Sequence, residues 1–531
     1  MSRCGIKIYL VFLLTLGLGA CTKREQKADY GLPLKETLRI NILQEPPSLD
    51  WSKSVDTTSS LIENNIMDGL VEYDLNDPEL GLLPALATSW KPNKDASEWT
   101  FVLRKGVKWS DGVEFTGQQV IDGWERILNS ATASEYAYFL FGVKNAQAYN
   151  EGKIKDFSQV GVKLDGDGNL VVQLEQPKSY FPYLMAHHST YPLRKDVVAK
   201  YGDRWTDPAN IVTLGEYKLK IWEHDKALVL ERYDDYYGEK AKTKYVLAYM
   251  INEMSTAINL FDSNKIDFQY SLPSSELRQL RQRKEYRESG ILGIYYYGFN
   301  IRKPPFNDVR VRKAFVEGVD RKQVTDMLAG GQIPLSGWIP AGMFGYEADR
   351  GLKFNPENAN KLLDAAGYKD RSKFPKIKLG FNTNEDHKRV AENVQAQIKK
   401  NLGIDIEMAN EEWKVYLSTL KSNTPAIFRL GWLADYPDPD NFANLMASYS
   451  ENNHTGWKNK KYDDMVGRAI SMTDKEARRK VYSDAQKMLT EDEVPAMPIY
   501  SMVSQVLLNN RVKGLKENAM NRYLFSGVTL Q

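Results

Sequence analysis

The sequence AIFRLGWLADYPDPDN at residues 426–441 joins a strand-like segment to a turn, and the rest of the chain is interpreted outward from it. Residues 427–430 (IFRL) are mostly apolar and β-prone, which predicts a strand. Pro437 and Pro439 each stand beside an aspartate, and such dipeptides break regular structure. The chain is therefore expected to leave the strand between residues 431 and 436.

Four chemically different residues lie around this junction: Arg429, Gly431, Trp432 and Asp435. They supply a cation, a stretch of backbone without a side chain, an aromatic ring and a carboxylate. A ligand with a cationic end, an anionic end and a peptide backbone would suit this set. The alternative is a core strand followed by a solvated acidic turn, and these residues alone leave both interpretations open.

Composition indicates a large globular protein of ordinary character. The chain has 531 residues, of which 42% are hydrophobic and 26% are charged, so it can bury more than one core. The formal net charge is +2, and Arg3 and Lys7 supply two positive charges before residue 21, which leaves zero for the remainder (2 − 2). A neutral chain gives no electrostatic reason to expect nucleic acid as a partner.

The N-terminus reads as a targeting segment. Arg3 and Lys7 precede an apolar run at residues 8–18, which is too short to span a bilayer as a helix. The run ends in Leu-Gly-Ala-Cys, which resembles the bacterial lipobox and implies lipid attached to Cys21. The alternative is a plain secretory peptide cut near Ala20. Cys4 lies in the removed segment, so we expect no disulfide in the exported domain.

Residues 431–436, GWLADY, resemble the segment with which peptide-binding members of one family capture the α-amino group of a bound peptide. The family is family 5 of the bacterial extracellular solute-binding proteins, which serve ABC importers. Further matching segments are WTFVLRKGVKWSDG (99–112), NIVTLGEY (210–217), GIYYYGFN (293–300) and KPPFNDVRVR (303–312). The resemblance covers nearly all of the chain after Leu38.

The resemblance implies an α/β protein with the two-lobed periplasmic-binding-protein fold, type II-like, with the extra domain of the peptide-binding family and a hinge of two crossings. The strand–helix–strand order of residues 376–433 independently favours a parallel α/β arrangement. The implied domains are a signal peptide (1–20), a lipid-anchored tether (21–36), lobe 1 (37–57, 196–292 and 504–531), the extra domain (58–195) and lobe 2 (293–503).

The resemblance also implies roles for individual residues. Asp435 would pair with the peptide amine, while Trp432 and Gly431 would supply a wall and backbone for strand-like pairing. Arg429 and His387 match positions that meet the carboxylate of short peptides. The remaining matched positions are peptide contacts at Tyr136, Tyr297, Glu45 and Trp413. For Tyr136 a surface-packed tyrosine, and for Tyr297 a core position, remain alternatives.

One departure from the resembled enteric proteins concerns a disulfide. Those proteins carry a cysteine after the tryptophan of this motif, bonded to a cysteine near the second crossing. The corresponding places here are Leu433 and about Gly293. This removes a covalent link and leaves the residues of the site in place.

Two other patterns suggest chemistry and are interpreted structurally. DGDGN at 165–169 resembles a calcium loop, but no glutamate follows at the twelfth position, and two β-prone runs flank it, so we expect a hairpin turn. The pair His187–His188 has no cysteine or acid at ligand spacing and stands among aromatic residues, which favours a structural pair.

The function predicted is an oligopeptide receptor that delivers its ligand to an ABC permease. No G-x-S-x-G elbow, P-loop or H-E-x-x-H motif occurs, so we expect no enzyme activity, no cofactor and no metal. A monomer on the periplasmic or extracytoplasmic face, anchored through lipid, is expected. The alternatives are the same fold binding a dipeptide, cell-wall peptide, nickel or sugar, and a lipid-anchored hydrolase.

Overall fold

Two long antiparallel strands run through both lobes of the protein and join them. The computed structural model describes residues 26–77, 80–178, 180–472 and 474–531. The signal peptide, Cys21 and part of the tether therefore lie outside the described residues. In the described part, the strands in chain order are β1 (Thr37–Asn41), β2 (Val71–Tyr73), β3 (Leu82–Pro84), β4 (Ala87–Pro92), β5 (Glu98–Leu103), β6 (Val162–Leu164), β7 (Leu170–Gln173), β8 (Tyr217–Glu223), β9 (Ala227–Arg232), β10 (Tyr245–Tyr249), β11 (Phe268–Tyr270), β12 (Tyr286–Phe299), β13 (Ile333–Pro334), β14 (Ile377–Asn382), β15 (Ile406–Glu411), β16 (Ile427–Leu433), β17 (Ala496–Leu508), β18 (Val512–Lys513) and β19 (Thr529–Leu530).

The α-helices lie between these strands, as the alternating sequence pattern predicts. They are α1 (Thr57–Ile66), α2 (Gly117–Leu128), α3 (Ala146–Asn150), α4 (Phe181–Leu184), α5 (Lys195–Tyr201), α6 (Met254–Asp262), α7 (Leu277–Leu280), α8 (Val309–Glu317), α9 (Arg321–Leu328), α10 (Pro356–Ala365), α11 (Glu385–Leu402), α12 (Trp413–Ser422), α13 (Pro439–Leu445), α14 (Lys460–Ile470) and α15 (Lys475–Lys487). Across the described ranges, no helix is long and apolar enough to cross a bilayer.

The main sheet is continuous from one lobe to the other, in the order β15-β14-β16-β12-β17-β11-β1-β10-β9-β8. The long strands β12 and β17 stand at its centre and pair with each other along their length. Beyond them, β14–β16 lie on the side of lobe 2, and β11, β1 and β8–β10 lie on the side of lobe 1. The β12–β17 pairing shifts register between Gly290 and Ile294, so the ladder is irregular where the chain crosses.

A separate antiparallel sheet, β4-β5-β7-β6, forms the centre of the extra domain. The predicted turn at residues 165–169 joins β6 to β7 as a hairpin, which confirms that prediction. Helix α2 follows the sheet's first hairpin and begins with a capping box between Thr116 and Gln119. Its apolar face, including Val120, Trp124 and Ile127, is fully buried.

Lobe 2 has its own core between the sheet and its helices. Tyr297 and Phe299 of β12 pack there with Phe315, Val390 and Ile398 from α8 and α11. Asn384 caps α11, as the sequence predicts, because its side-chain oxygen accepts hydrogen bonds from the N–H groups of Asp386 and His387. The cap fixes the start of α11 at the edge of the cleft between the lobes.

Candidate functional site

A cavity of about 390 Å³ lies between the lobes and is lined by residues of both. Its volume falls in the range of pockets that enclose small ligands. Of the residues predicted from the sequence, seven line it: Asp435, Trp432, Gly431, Arg429, His387, Tyr136 and Trp413. Strand β16 extends to Leu433, so three of these residues stand on a strand at the sheet centre and Asp435 follows just after it.

The Asp435 carboxylate is held by three side-chain partners. Oδ1 accepts a hydrogen bond from the Tyr136 hydroxyl at 3.2 Å and lies 3.2 Å from Nε2 of His187. Oδ2 accepts one from Nδ2 of Asn441 at 2.9 Å. Only 11% of the side chain is exposed. A nearly buried carboxylate that pairs with no lysine or arginine among these partners favours a cation in its remaining coordination space.

The two rings beside Asp435 belong to the extra domain, opposite the strand that carries the acid. Burial, followed by the charge of Asp435, raises the pKa of the Tyr136 hydroxyl well above its usual value, so the hydroxyl stays protonated and donates. His187 packs on Tyr136 with ring centroids 4.7 Å apart. The sequence interpretation of His187 as part of a structural pair missed this contact, and only its aromatic surroundings hinted at it.

Asn441 fixes the segment that carries Asp435 and was also missed. Its Oδ1 accepts hydrogen bonds from Nε1 of Trp432 at 2.8 Å and from the backbone N–H of Asp435 at 3.1 Å. The neighbouring acids turn away from the cavity. Asp438 caps α13 and pairs with Arg478 at 2.7 Å, while Asp440 accepts from Tyr180 at 2.6 Å.

Arg429 and His387 form a second polar region of the same cavity. The guanidinium of Arg429 stacks on the ring of Tyr295 at 4.5 Å and donates to Oδ1 of Asn382 at 3.2 Å. Its Nε has no hydrogen-bond partner within the described residues. Burial, together with the charge of Arg429, lowers the pKa of His387 well below its ordinary value, so the imidazole is neutral. Nδ1 of His387 likewise lacks a partner there.

Gly431 leaves no space for a side chain. A Cβ atom added there would lie 2.4 Å from Cε of Met502 and 3.4 Å from Nη2 of Arg429. The strand therefore presents bare backbone between Arg429 and Trp432.

Two predicted site residues lie outside the cavity. Glu45 turns away and accepts hydrogen bonds from Nε1 of Trp222 at 2.9 Å and Nδ1 of His224 at 2.7 Å, so it anchors the β8–β9 turn. Tyr297 is fully buried in the core of lobe 2. Neither of these two predicted residues lines the cavity in this structure. For Tyr297, the core alternative is correct, and Tyr295, two residues earlier on the same face, lines the cavity instead.

The described residues contain no group of three or more histidine, cysteine, aspartate or glutamate side chains arranged to hold a metal ion. The charged lining of the cavity includes the Asp435 carboxylate and, separately, Arg429. The other charged residues that line it are Asp56, Glu135, Asp386, Lys421 and Arg522.

Two lobes that share crossing strands and enclose a polar cavity define the class of extracellular solute-binding proteins. Comparison with known proteins agrees: the profile of "Bacterial extracellular solute-binding proteins, family 5 Middle" matches residues 81–454. The chain therefore belongs to family 5 of the bacterial extracellular solute-binding proteins. Membership of an extracellular family places it on the extracytoplasmic side of the membrane.

Relatives in other bacteria are named for binding. The chain is 36% identical over 500 residues to the periplasmic oligopeptide-binding protein OppA of Escherichia coli, covering 92% of this chain and 91% of the relative. It is 33% identical over 531 residues to the oligopeptide-binding protein OppA of Bacillus subtilis, covering 96% of each. The structure of Haemophilus influenzae OppA in complex with RPPGFSPFR superposes with a TM-score of 0.88 at 31% identity, covering 94% of this chain and 99% of that one.

Two structures of one relative indicate how the lobes are arranged. The murein tripeptide-binding protein MppA of Escherichia coli superposes with a TM-score of 0.89, covering 94% of this chain and 99% of that one. The unliganded open form of MppA superposes with a TM-score of only 0.63, covering 94% of this chain and 98% of that one. Identity is 30% in both cases, so the difference reflects the lobe arrangement. The lobes described here are not in the arrangement of that open form.

Proposed function

We propose that the protein binds extended oligopeptides through their backbone and termini and delivers them to an ABC permease. The observation that carries this proposal is that one interlobe cavity is lined both by the nearly buried Asp435 carboxylate and by Arg429, which lies beside neutral His387 and whose Nε has no partner within the described residues. A zwitterionic ligand with an ammonium and a carboxylate satisfies both. The names of the relatives and the peptide-bound relative support the same ligand class.

The spacing along β16 supports a peptide of a few residues. Asp435 lies six positions after Arg429, and six extended residues span at most about 22 Å. The two charges are thus within reach of the ends of one short peptide. Strand β16 runs between them, with bare backbone at Gly431 for main-chain hydrogen bonds.

The proposal includes delivery by a monomer that is anchored in the membrane by lipid on Cys21 and that opens and closes around its ligand. The proposed domain boundaries at 292/293 and 503/504 fall within β12 and β17, the strands that both lobes share. The irregular pairing beside Gly290 supports a hinge there. The lobe arrangement shared with one MppA structure and not with its open form supports closure.

The decisive test is Asp435→Asn, measured by calorimetry with a short peptide and its N-acetylated form. The substitution keeps the shape and removes the charge. Loss of one partner of a buried charge pair costs about 2–5 kcal/mol. At about 1.4 kcal/mol per tenfold, affinity should fall at least about thirtyfold. N-acetylation should cost the wild type a similar amount and cost the variant little more.

Asp438→Asn is the matched control, because this acid stands three residues away and pairs with Arg478 outside the cavity. It should bind the free peptide as the wild type does. Additive losses from Asp435→Asn and N-acetylation would place the amine elsewhere. Mass spectrometry of peptide recovered after binding separates a receptor from a hydrolase, since a receptor returns the peptide intact.

A further inference from the structure

His187 stands directly between the extra domain and the Asp435 carboxylate. It caps the single-turn 3₁₀ helix His188–Thr190, and its side chain is 8% exposed. The ring is packed between Tyr136 and Phe139, with centroids 4.7 and 4.5 Å away. Its orientation is therefore fixed by packing, with Nε2 toward Asp435 and Nδ1 toward Ser189.

The hydrogen bonds at Nδ1 determine which tautomer is present. Nδ1 accepts from the backbone N–H of Ser189 at 3.3 Å and lies 2.8 Å from its hydroxyl oxygen. An imidazole nitrogen that accepts from an N–H carries a lone pair and no proton. The neutral ring therefore carries its proton on Nε2, which donates to Oδ1 of Asp435 at 3.2 Å.

This tautomer makes His187 the third neutral donor to Asp435, beside Tyr136 and Asn441. If the ring takes a second proton, Nδ1 can no longer accept from the Ser189 N–H, and a full positive charge stands 3.2 Å from Oδ1. That charge would satisfy the carboxylate in place of an incoming ammonium and repel the ammonium as well.

We propose that His187 is a proton-responsive positioning residue of the site where Asp435 binds the ligand's ammonium. The neutral ring leaves the charge of Asp435 to that ammonium, whereas the protonated ring competes with it. The proposal rests on the proposed peptide-binding function. The proposal implies that peptide binding weakens in acid because protonation of His187 changes its interaction with Asp435.

Several other titratable or charged groups lie around the His187 ring, and the structure determines the protonation state of some of them. The titratable or charged groups facing it are Asp435, Tyr136 and His188, whose ring is 4.0 Å away, with Arg522 behind His188. Burial, and then the proximity of His187, lowers the pKa of His188 well below its ordinary value, so His188 stays neutral. The raised pKa of Tyr136 keeps that hydroxyl protonated.

The test is calorimetry with trialanine, which has no titratable side chain, at pH 7.5 and 5.5. Each pH unit below the titration midpoint costs up to tenfold in affinity when the bound state excludes the proton. We expect weaker binding at pH 5.5 than at pH 7.5 in the wild type, by at most about a hundredfold over the two pH units. His187→Gln places a neutral amide N–H near the position of Nε2 and cannot take up a proton, so its affinity should be the same at pH 7.5 and pH 5.5.

His224→Gln is the matched control, because this histidine is largely exposed and contacts Glu45 outside the cavity. It should keep the full pH dependence. An independent measurement on the wild type is the ¹⁵N spectrum of the His187 ring, which should show Nδ1 unprotonated at pH 7.5 and remains informative if His187→Gln fails to fold.

Each other outcome overturns the proposal. Equal trialanine affinity at both pH values in the wild type, or an undiminished pH effect in His187→Gln, removes His187 as the sensor and leaves peptide binding intact. A proton found on Nδ1 at pH 7.5 contradicts the tautomer. No trialanine binding at either pH would count against the proposed function itself.

Discussion

Asp386 lines the cavity and contacts Ser274 across the two lobes, and removing this contact should weaken ligand binding. Oδ1 and Oδ2 of Asp386, at the start of α11, lie 3.1 and 3.2 Å from the backbone N–H of Ser274, and Oδ1 also accepts from the Ser274 hydroxyl. Beside it, Glu385 accepts from the first N–H of α6, that of Met254, at 3.0 Å. These contacts form only when the lobes are together.

The magnitude follows from burial. Ser274 is 7% exposed, so Asp386→Ala leaves a buried donor without a partner, at a cost of about 1–3 kcal/mol. The Asp386 side chain is 22% exposed, and contact with solvent reduces the expected cost of the substitution to about 1–2 kcal/mol. The apparent dissociation constant of a peptide should rise about five- to thirtyfold, since it includes the free energy of closing.

This contact requires a hydrogen-bond acceptor at the Asp386 position. Burial raises the pKa of the Asp386 carboxyl above its usual value, whereas the hydrogen bonds from Ser274 and the charge of Arg389 act in the opposite direction. Asp386→Asn keeps an acceptor for Ser274 and should bind within about threefold of the wild type. Glu392→Ala is the control, because Glu392 lies on α11 and contacts only Lys388 among the ion pairs described, at 4.0 Å.

Calorimetry on Asp386→Ala, Ser274→Ala and the double variant distinguishes a contact between lobes from a ligand contact. Ser274 does not line the cavity, so a coupling between the two substitutions passes through their mutual hydrogen bonds or through Arg389, which contacts both side chains. Strictly additive losses, or a loss in Asp386→Ala no larger than that of Glu392→Ala, would refute the reasoning.

Two further predictions follow from the sequence. Cys21→Ser should release the protein from membranes into the soluble fraction, and a variant that stays membrane-bound, with no lipid detected on the wild type by mass spectrometry, would contradict lipidation. Replacing both Arg429 and His387 with Ala should weaken tripeptides more than longer peptides in calorimetry, because the carboxylates of longer peptides would lie elsewhere; equal losses at every length would show that neither residue sets the register.

Local signals in the sequence predicted much of the fold because they act over a few residues. The cap at Asn384, the capping box at Thr116 and the hairpin at residues 165–169 each depend on hydrogen bonds to nearby backbone groups. The end of β16 is also determined locally, because an apolar, β-prone run forms the strand and the Asp-Pro dipeptides that follow break regular structure. The α/β class follows from the order of such elements.

The composition of the cavity was harder to predict because it depends on how far along a strand the cleft extends. Tyr295 and Tyr297 lie on one face of β12, but the cavity reaches only Tyr295, and Tyr297 continues into the lobe 2 core. His187 reaches Asp435 from 248 residues away. Periodicity within one segment carries no information about such a distant contact.

Close packing occupies the position where the resembled enteric proteins have a disulfide. Gly293 and Leu433, the positions matched to the two cysteines, are direct cross-strand partners in the β12–β16 pair. A Cβ on Gly293 would lie 2.6 Å from Cδ2 of Leu433, so the leucine fills the space above the glycine. The pair of strands is thus joined by close packing where the resembled proteins have a covalent bond.

The segment that follows is then fixed without a covalent link. Asn441 forms hydrogen bonds with both the backbone N–H and the carboxylate of Asp435. The Tyr73 hydroxyl, from the other side of the cleft, donates to the backbone carbonyl of Asp435 at 2.9 Å. A charged group held this way loses little freedom when a ligand arrives, which is the physical basis of preorganisation. The position of the proposed amine-binding carboxylate therefore depends on packing and hydrogen bonds alone and is independent of the redox state of its surroundings.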